Sequence, residues 1–271
     1  MMDIYYVNCQ GVRLDLLSPP YMLQTGDIFD YSWNYSKSTR ITGFSKDIKE
    51  KKLLLSILNY GKEEYYEAID KFAATVEIDI LNKQNGRLFV GESYLRCYVI
   101  ASSKSDWEDD IELLDNQITI VTDHPFWIRE TPYYFKAAEI TSTNNKRYAG
   151  RYAYRYANGL NNTYIINDHY AESNFRMVIY GPCVKPSVYI GGYEYHADIT
   201  LESGEYLEID SAAETVTKYM VSGIRVNAFN NRSFQNNVFR PIQPGQQDIS
   251  WDGSFDFDLI LFEERSEPRW S

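Results

Sequence analysis

Histidine is the side chain best suited to moving protons near neutral pH, and this sequence of 271 residues carries three, His124, His169 and His196. Read as one alternating strand, Tyr193 to Leu201 sets Glu194, His196 and Asp198 on a single face, a nitrogen and oxygen donor set of the kind that holds a metal. A half-exposed strand face explains the same three residues better, because no further ligand can be named. Asp256 and Asp258 stand two apart on another strand. Paired carboxylates that hydrolyse glycosides need a set separation across a cleft. Among 38 acidic residues some pair always fits, so these two are read as facing solvent or a subunit. The sequence contains no glycine-rich phosphate loop, no G-x-S-x-G and no H-E-x-x-H, and nothing local selects a Ser-His-Asp triad. Cys9, Cys97 and Cys183 are odd in number, far apart and without a C-x-x-C pair, which reads as small buried thiols in a reducing compartment. The expectation is a protein that is not an enzyme, with no catalytic, cofactor-binding or metal-ligating residue and no cofactor.

Two further sets of residues bear on binding. Arg151-Tyr152 and Arg155-Tyr156 alternate in the segment TSTNNKRYAGRYAYRYANGLNN, where they could stack on bases or sugars, although a polar extended segment packing on its own domain or a neighbour is the simpler reading. Tyr189, Tyr193, Tyr195 and Trp251 could present aromatic faces to a sugar, although aromatics on strands usually pack. Charge argues against nucleic acid. The formal net charge is −11, and residues 1–130 hold 14 Lys and Arg against 21 Asp and Glu, while residues 131–271 hold 13 against 17. Neither part clusters the cations that a phosphate backbone requires. The start of the chain lacks a basic segment followed by an apolar core, and no stretch reaches the roughly 18 apolar residues of a membrane span. The expectation is a protein made in cytosol, with no membrane partner and no specific nucleic acid, whose N-x-S/T triplets at Asn34, Asn161 and Asn231 carry no glycans.

The elements that must position these residues are mostly strands, as 24 Tyr and 13 Phe already suggest. Ile4–Val7 and Val12–Leu16 read as strands around an Asn8–Gly11 turn, and KLLLSIL over Lys52–Leu58 as a buried strand. Tyr65, Ile69, Phe72, Ala73 and Val76 recur at spacings of three and four, which predicts a helix from Lys62 to about Glu77, with its early acids at the positive end of the dipole. Asn85-Gly86 signals a hairpin turn between that helix and strands over Arg87–Val90 and Glu92–Ala101, where Leu95, Cys97 and Val99 share a face. Ser102–Asp110 is polar and acidic, a loop or extended arm, before a strand over Gln117–Thr122. Thr131-Pro132 is expected to break the chain. From Phe175 onward strands follow at short intervals over Phe175–Gly181, Ser187–Ile190, Tyr193–Leu201, Glu205–Ile209, Thr215–Met220 and Ser254–Phe262. Turns at Gly191-Gly192, Ser203-Gly204 and Asp252-Gly253 separate several of them, which argues a β-sandwich.

An ordered string of features has a likeness elsewhere. Gly43-Phe44 leads into Leu53–Leu58, and the helix closes in Glu77-Ile78-Asp79-Ile80 before Asn85-Gly86-Arg87-Leu88. A strand carries Tyr94-Leu95-Arg96-Cys97-Tyr98-Val99, and another ends in His124-Pro125-Phe126-Trp127. The tail from Phe239 to Trp270 reads Phe-x-x-Ile-x-Pro-Gly-x-x-x-Ile-x-Trp, then Phe-Asp-Phe-Asp-Leu-Ile-Leu, Glu-Glu-Arg and Pro-Arg-Trp. In this order the chain resembles the distal tail protein family of siphophages over nearly its whole length, least so across about 136–170.

That resemblance implies a mainly β protein of two domains. An N-terminal β-sandwich-like domain with one α-helix, residues 1–130, forms a ring; an irregular linker covers 131–163; and a C-terminal galectin-like β-sandwich covers 164–271. It further implies a homo-hexamer, or stacked hexamers, at the virion tail tip, joining the tail-tube protein to a tail-tip or tail-associated lysin protein while DNA passes through the channel. Receptor-binding or baseplate proteins would dock on the outer domain. The alternative function is a carbohydrate-binding module attaching a phage tail to cell-wall glycans. A wall-degrading hydrolase ranks third, since no catalytic set can be named for it.

Overall fold

A computed structural model describes residues 3–58, 61–108, 113–137 and 163–269. The protein is mainly β with one α-helix, and the chain forms two compact units, Met1–Arg129 with Glu264–Ser271, and Glu130–Glu263. That helix is not long and apolar enough to cross a membrane.

In the first unit, β1 (Ile4–Val7) and β2 (Arg13–Asp15) form a hairpin around the predicted turn, where Asn8 Oδ1 accepts from the Gln10 and Val12 N–H groups at 3.0 and 2.8 Å. Next come β3 (Tyr21–Gly26), a hairpin of β4 (Asn34–Lys37) and β5 (Ile41–Ser45), and β6 (Lys49–Leu58). Helix α1 (Lys62–Asn82) is followed by β7 (Gly86–Val90), β8 (Ser93–Glu108), β9 (Leu113–Thr122) and β10 (Trp127–Phe135). Strand β8 serves two sheets. Its start pairs with β7, which pairs with β1, and with the start of β10. From Tyr98 onward it pairs with β9, and the order continues through β6 to β3. Leu88, Leu95 and Cys97 of one sheet face Leu55, Ile57, Leu114 and Ile118 of the other in a common core with Tyr65, Phe72 and Val76 of α1. Apolar side chains removed from water here drive the unit together.

Three expectations are corrected over this stretch of the chain, and a fourth is narrowed. Helix α1 runs past Glu77 to Asn82, and Ala73 is exposed rather than on the buried stripe. Its last turn is held because Asp79 points inward, fully buried, and accepts the Tyr6 O–H at 2.5 Å and the Cys9 N–H at 2.7 Å. The helix ends at Lys83 in the left-handed region (φ 53°), whose N–H and that of Gln84 cap the Ile80 and Asp79 carbonyls. Asn85-Gly86 is not a hairpin turn. Gly86 opens β7 beside Tyr6, where a Cβ would stand 2.1 Å from the Tyr6 hydroxyl oxygen, so close approach selects the glycine. The hairpin itself turns at Gly91, φ 58°. Of the loop or extended arm expected over Ser102–Asp110, the arm is found, as Ser102–Glu108 continues β8 and pairs with β9. Thr131-Pro132 does not break the chain but lies inside β10, since proline keeps an extended φ and forfeits only one N–H.

The second unit contains β11 (Thr163–Asn167), β12 (Asn174–Tyr180), β13 (Ser187–Ile190), β14 (Tyr193–His196), β15 (Tyr206–Asp210), β16 (Thr215–Tyr219), β17 (Arg225–Asn227), β18 (Gly245–Trp251) and β19 (Phe257–Arg265). One sheet runs β17-β16-β15-β12-β19 and the other β11-β18-β13-β14, all antiparallel. Phe175, Met177, Leu207, Phe257, Leu259 and Leu261 of the first sheet share a core with Ile165, Val188, Tyr195 and Ile249 of the second. The alternation along Phe255–Leu261 is as predicted. The expected strand Tyr193–Leu201 is broken after His196. There the Asp198 N–H turns aside to the Asn231 carbonyl at 2.6 Å, and Leu201 pairs with Cys183.

Candidate functional site

The residues with possible chemistry are placed apart or neutralised. Glu194 and His196 do meet, through Ser187, whose Oγ lies 3.2 Å from Glu194 Oε1 and 2.7 Å from His196 Nδ1. Asp198 does not join them, because the strand ends first and its carboxylate pairs with Lys185 at 3.0 Å. Among the described residues no three His, Cys, Asp or Glu side chains are grouped to hold a metal. Asp256 accepts from the Ala137 N–H at 2.7 Å and pairs with Lys136 at 3.0 Å, which hold its carboxyl below the usual range. Asp258 accepts the Tyr180 hydroxyl at 2.7 Å. His124 contacts Glu264 at 3.0 Å, and His169 is buried. The cysteines are unbridged, and burial pushes Cys97 up to about 12 and Cys183 up to about 11, far from the thiolate that reacts. Of the aromatics, Tyr193, Tyr195 and Trp251 donate into backbone carbonyls of Asn237, Arg240 and Phe255, and Tyr189 into Glu194. Arg151-Tyr152, Arg155-Tyr156, most of the expected linker and Trp270 lie outside the described residues.

What the first unit does build is exposed apolar surface. The β4–β5 hairpin pairs only with itself, and Tyr35, Ile41 and Phe44 on it, with Ile48 just beyond, are 57, 57, 65 and 67% exposed. A lone two-stranded hairpin is marginal in water, and native proteins rarely leave such apolar groups together without a partner. Its base, by contrast, is fixed. Lys46 Nζ donates to the Pro125 carbonyl at 3.0 Å and sits 4.2 Å from the ring centre of Phe126 and 4.8 Å from that of Trp33. Trp33 meets Phe126 edge-on, with centroids 5.8 Å apart. Behind it Lys51 Nζ donates to the Asp27 and Asp30 carbonyls at 2.9 and 2.5 Å. Burial, and then the neighbouring Lys51 and Lys49, push the Lys46 amine down to about 8.

A second surface lies beside α1. Ala73, Glu77 and Ile80 of the helix and Ile100 of β8 line an open groove of about 300 Å³, floored by Phe72, Val76 and Val99. Ile80 and Ile100 are 45 and 46% exposed. Sequence reasoning missed both surfaces. The hairpin's signal was the short alternation on either side of Ser38-Thr39-Arg40; the groove's was the apolar residues left over on the outer face of a helix that continues past Glu77.

No family model matches this sequence, and no curated protein is significantly similar to it. Solved structures are. The chain is similar to a chain of the phage P2 baseplate in its activated conformation with Ca, with TM-score 0.63 and 15% identity over 99% of this chain and 100% of that one. The same holds for the strontium form of that baseplate, with TM-score 0.63 and 16% identity over 99% and 100%. The Dit (gp 19.1) protein of phage SPP1, described as a paradigm of the hub adsorption apparatus in phages infecting Gram-positive hosts, matches with TM-score 0.57 and 9% identity over 97% of this chain and 99% of that one. At such identities it is the path of the backbone that is shared, and over both of its units this chain has the fold of these phage baseplate and Dit hub proteins.

Proposed function

We propose that this protein is a structural hub of a phage tail tip. Copies of it associate through their first units into a hexameric ring that joins the tail tube to the tail-tip proteins and leaves a channel for DNA. The observation that carries this reading is the extent of the likeness, which spans 97–99% of the chain and nearly all of each structure matched. A borrowed catalytic or binding domain would match over one unit alone. The exposed hairpin and groove of the first unit supply the unsatisfied apolar surface that assembly requires. The second unit would serve as the platform for receptor-binding or other baseplate proteins.

Native mass spectrometry of the full chain tests this. The expected species is six times the 31.6 kDa chain mass, or twelve times that mass for stacked rings. A protein that stays a single chain at high concentration, and also with its tail-tube and tip neighbours present, would overturn the proposal. The sugar-binding alternative gains no support from the aromatics it needs, since the polar ends of Tyr193, Tyr195 and Trp251 are turned into their own unit.

A further inference from the structure

We infer that the ring contact is made by the β4–β5 hairpin of one copy seated in the groove beside α1 of the next copy. This deepens the hub reading and rests on it. Both surfaces are apolar and exposed, one a projection and the other a groove. The hairpin carries the cross-strand pair Tyr35 and Phe44, with Ile41 nearer its tip, all mostly exposed, whereas the groove is lined by Ile80 and Ile100. None of the hairpin residues lines the groove in its own copy.

Charge selects the same pairing. Within a chain of net charge −11, the hairpin itself, residues 34–45, carries two exposed cations, Lys37 and Arg40, and no acid. Helix α1 carries the reverse, two lysines against five acids besides the buried Asp79. Asp70 and Glu77 lie exposed on the outer face of the helix, on either side of Ala73. Oppositely charged patches attract across an interface and like patches repel. Two hairpins meeting about a twofold axis would set basic against basic, and two grooves acid against acid. Hairpin to groove is the contact that charge favours, and it is head-to-tail. Such a contact leaves one unused hairpin and one unused groove until rotation closes it into a ring. The one cation lining the groove among the described residues, Lys104, is drawn to Ser102 Oγ at 2.6 Å. The rigid base around Lys46 adds the last requirement, since a projection held in place loses less entropy on docking than a floppy one.

The test uses two full-length variants on exposed positions, Phe44→Glu on the hairpin and Ile80→Gln in the groove, each checked for an unchanged thermal melt. Wild type is expected to form hexamers, and either variant alone to lose them, with self-association weakened by about tenfold or more. The decisive sample is the mixture. The Ile80→Gln copy keeps a sound hairpin and the Phe44→Glu copy a sound groove, so together they can make one contact and must stop at a heterodimer. Hexamers from either variant alone would overturn the hairpin-in-groove contact and leave the hub reading standing. Rings assembled by the mixture would do the same. A wild-type protein that never self-associates would remove both.

Discussion

The Asp79 carboxyl group shows how one residue can tie distant parts of the chain together. It is fully buried and receives the Tyr6 hydroxyl and the Cys9 N–H, so the end of α1 is fixed to the first hairpin. Burial first, then Cys97 and Asp79, push the Tyr6 phenol upward, which keeps it the donor. Tyr6→Phe removes that donor and leaves a buried acceptor oxygen short of a partner, at a cost of about 1–3 kcal/mol. Urea unfolding of the two proteins measures it, and a variant as stable as wild type would show the bond to be dispensable. Gly86→Ala should destabilise as well, because its Cβ falls 2.1 Å from the Tyr6 oxygen and 2.5 Å from Asp79 Oδ2. Lys46 offers a chemical check on the hairpin base. With its amine held at about 8, its acylation rate followed by mass spectrometry should rise through a midpoint near that pH, while freely exposed lysines titrate near 10.4. A Lys46 that titrates with the rest would mean that the cage around it is open in solution.

Between elements, the clearest ion pair joins Glu205, just before β15, to Lys218 on β16 at 2.6 Å, with the Glu202 N–H donating to the same carboxylate at 2.8 Å. Both lower the Glu205 pKa, Lys218 more. A carboxylate lowered in the folded state stabilises fully above its unfolded value and loses that contribution as pH falls through its folded one. Glu205→Gln should therefore melt lower than wild type at pH 7, and the gap should close as pH drops below about 4.3. A gap that does not change with pH would assign the effect to packing instead. The strands on either side of this pair were legible because their alternation is unbroken and glycines at positive φ mark their turns. Elements were misread where tertiary contacts outweighed local signals. Asp79 looks like a helix-ending acid until Tyr6 and Cys9 are seen around it, and Asn85-Gly86 looks like a turn until Tyr6 is seen against Gly86. Pro132 looks like a break although β10 passes through it.

At the scale of the whole molecule, the mainly β fold with one helix could be read from periodicity, but the assembly surface could not. A groove is made by α1 and β8 together, and no single segment announces it. Exposed apolar residues such as Phe44 and Ile80 look in sequence like core residues, because hydropathy does not say which side of an element faces a neighbour. The net charge, which needs no structure, then bears on the channel proposed above. Each copy is formally −11, and the exposed hairpin cations, Lys37 and Arg40, are assigned above to the proposed contact between copies. If they are spent there, what remains to face a central channel is acidic or neutral, and it repels the phosphates of DNA passing through. The assembled protein should accordingly leave duplex DNA unretarded on a native gel even at about 50 mM salt, where a basic channel or groove binds strongly. Retardation that fades as salt is raised would mean that the hairpin cations face the channel, and it would overturn both the acidic lumen and the place given to the hairpin.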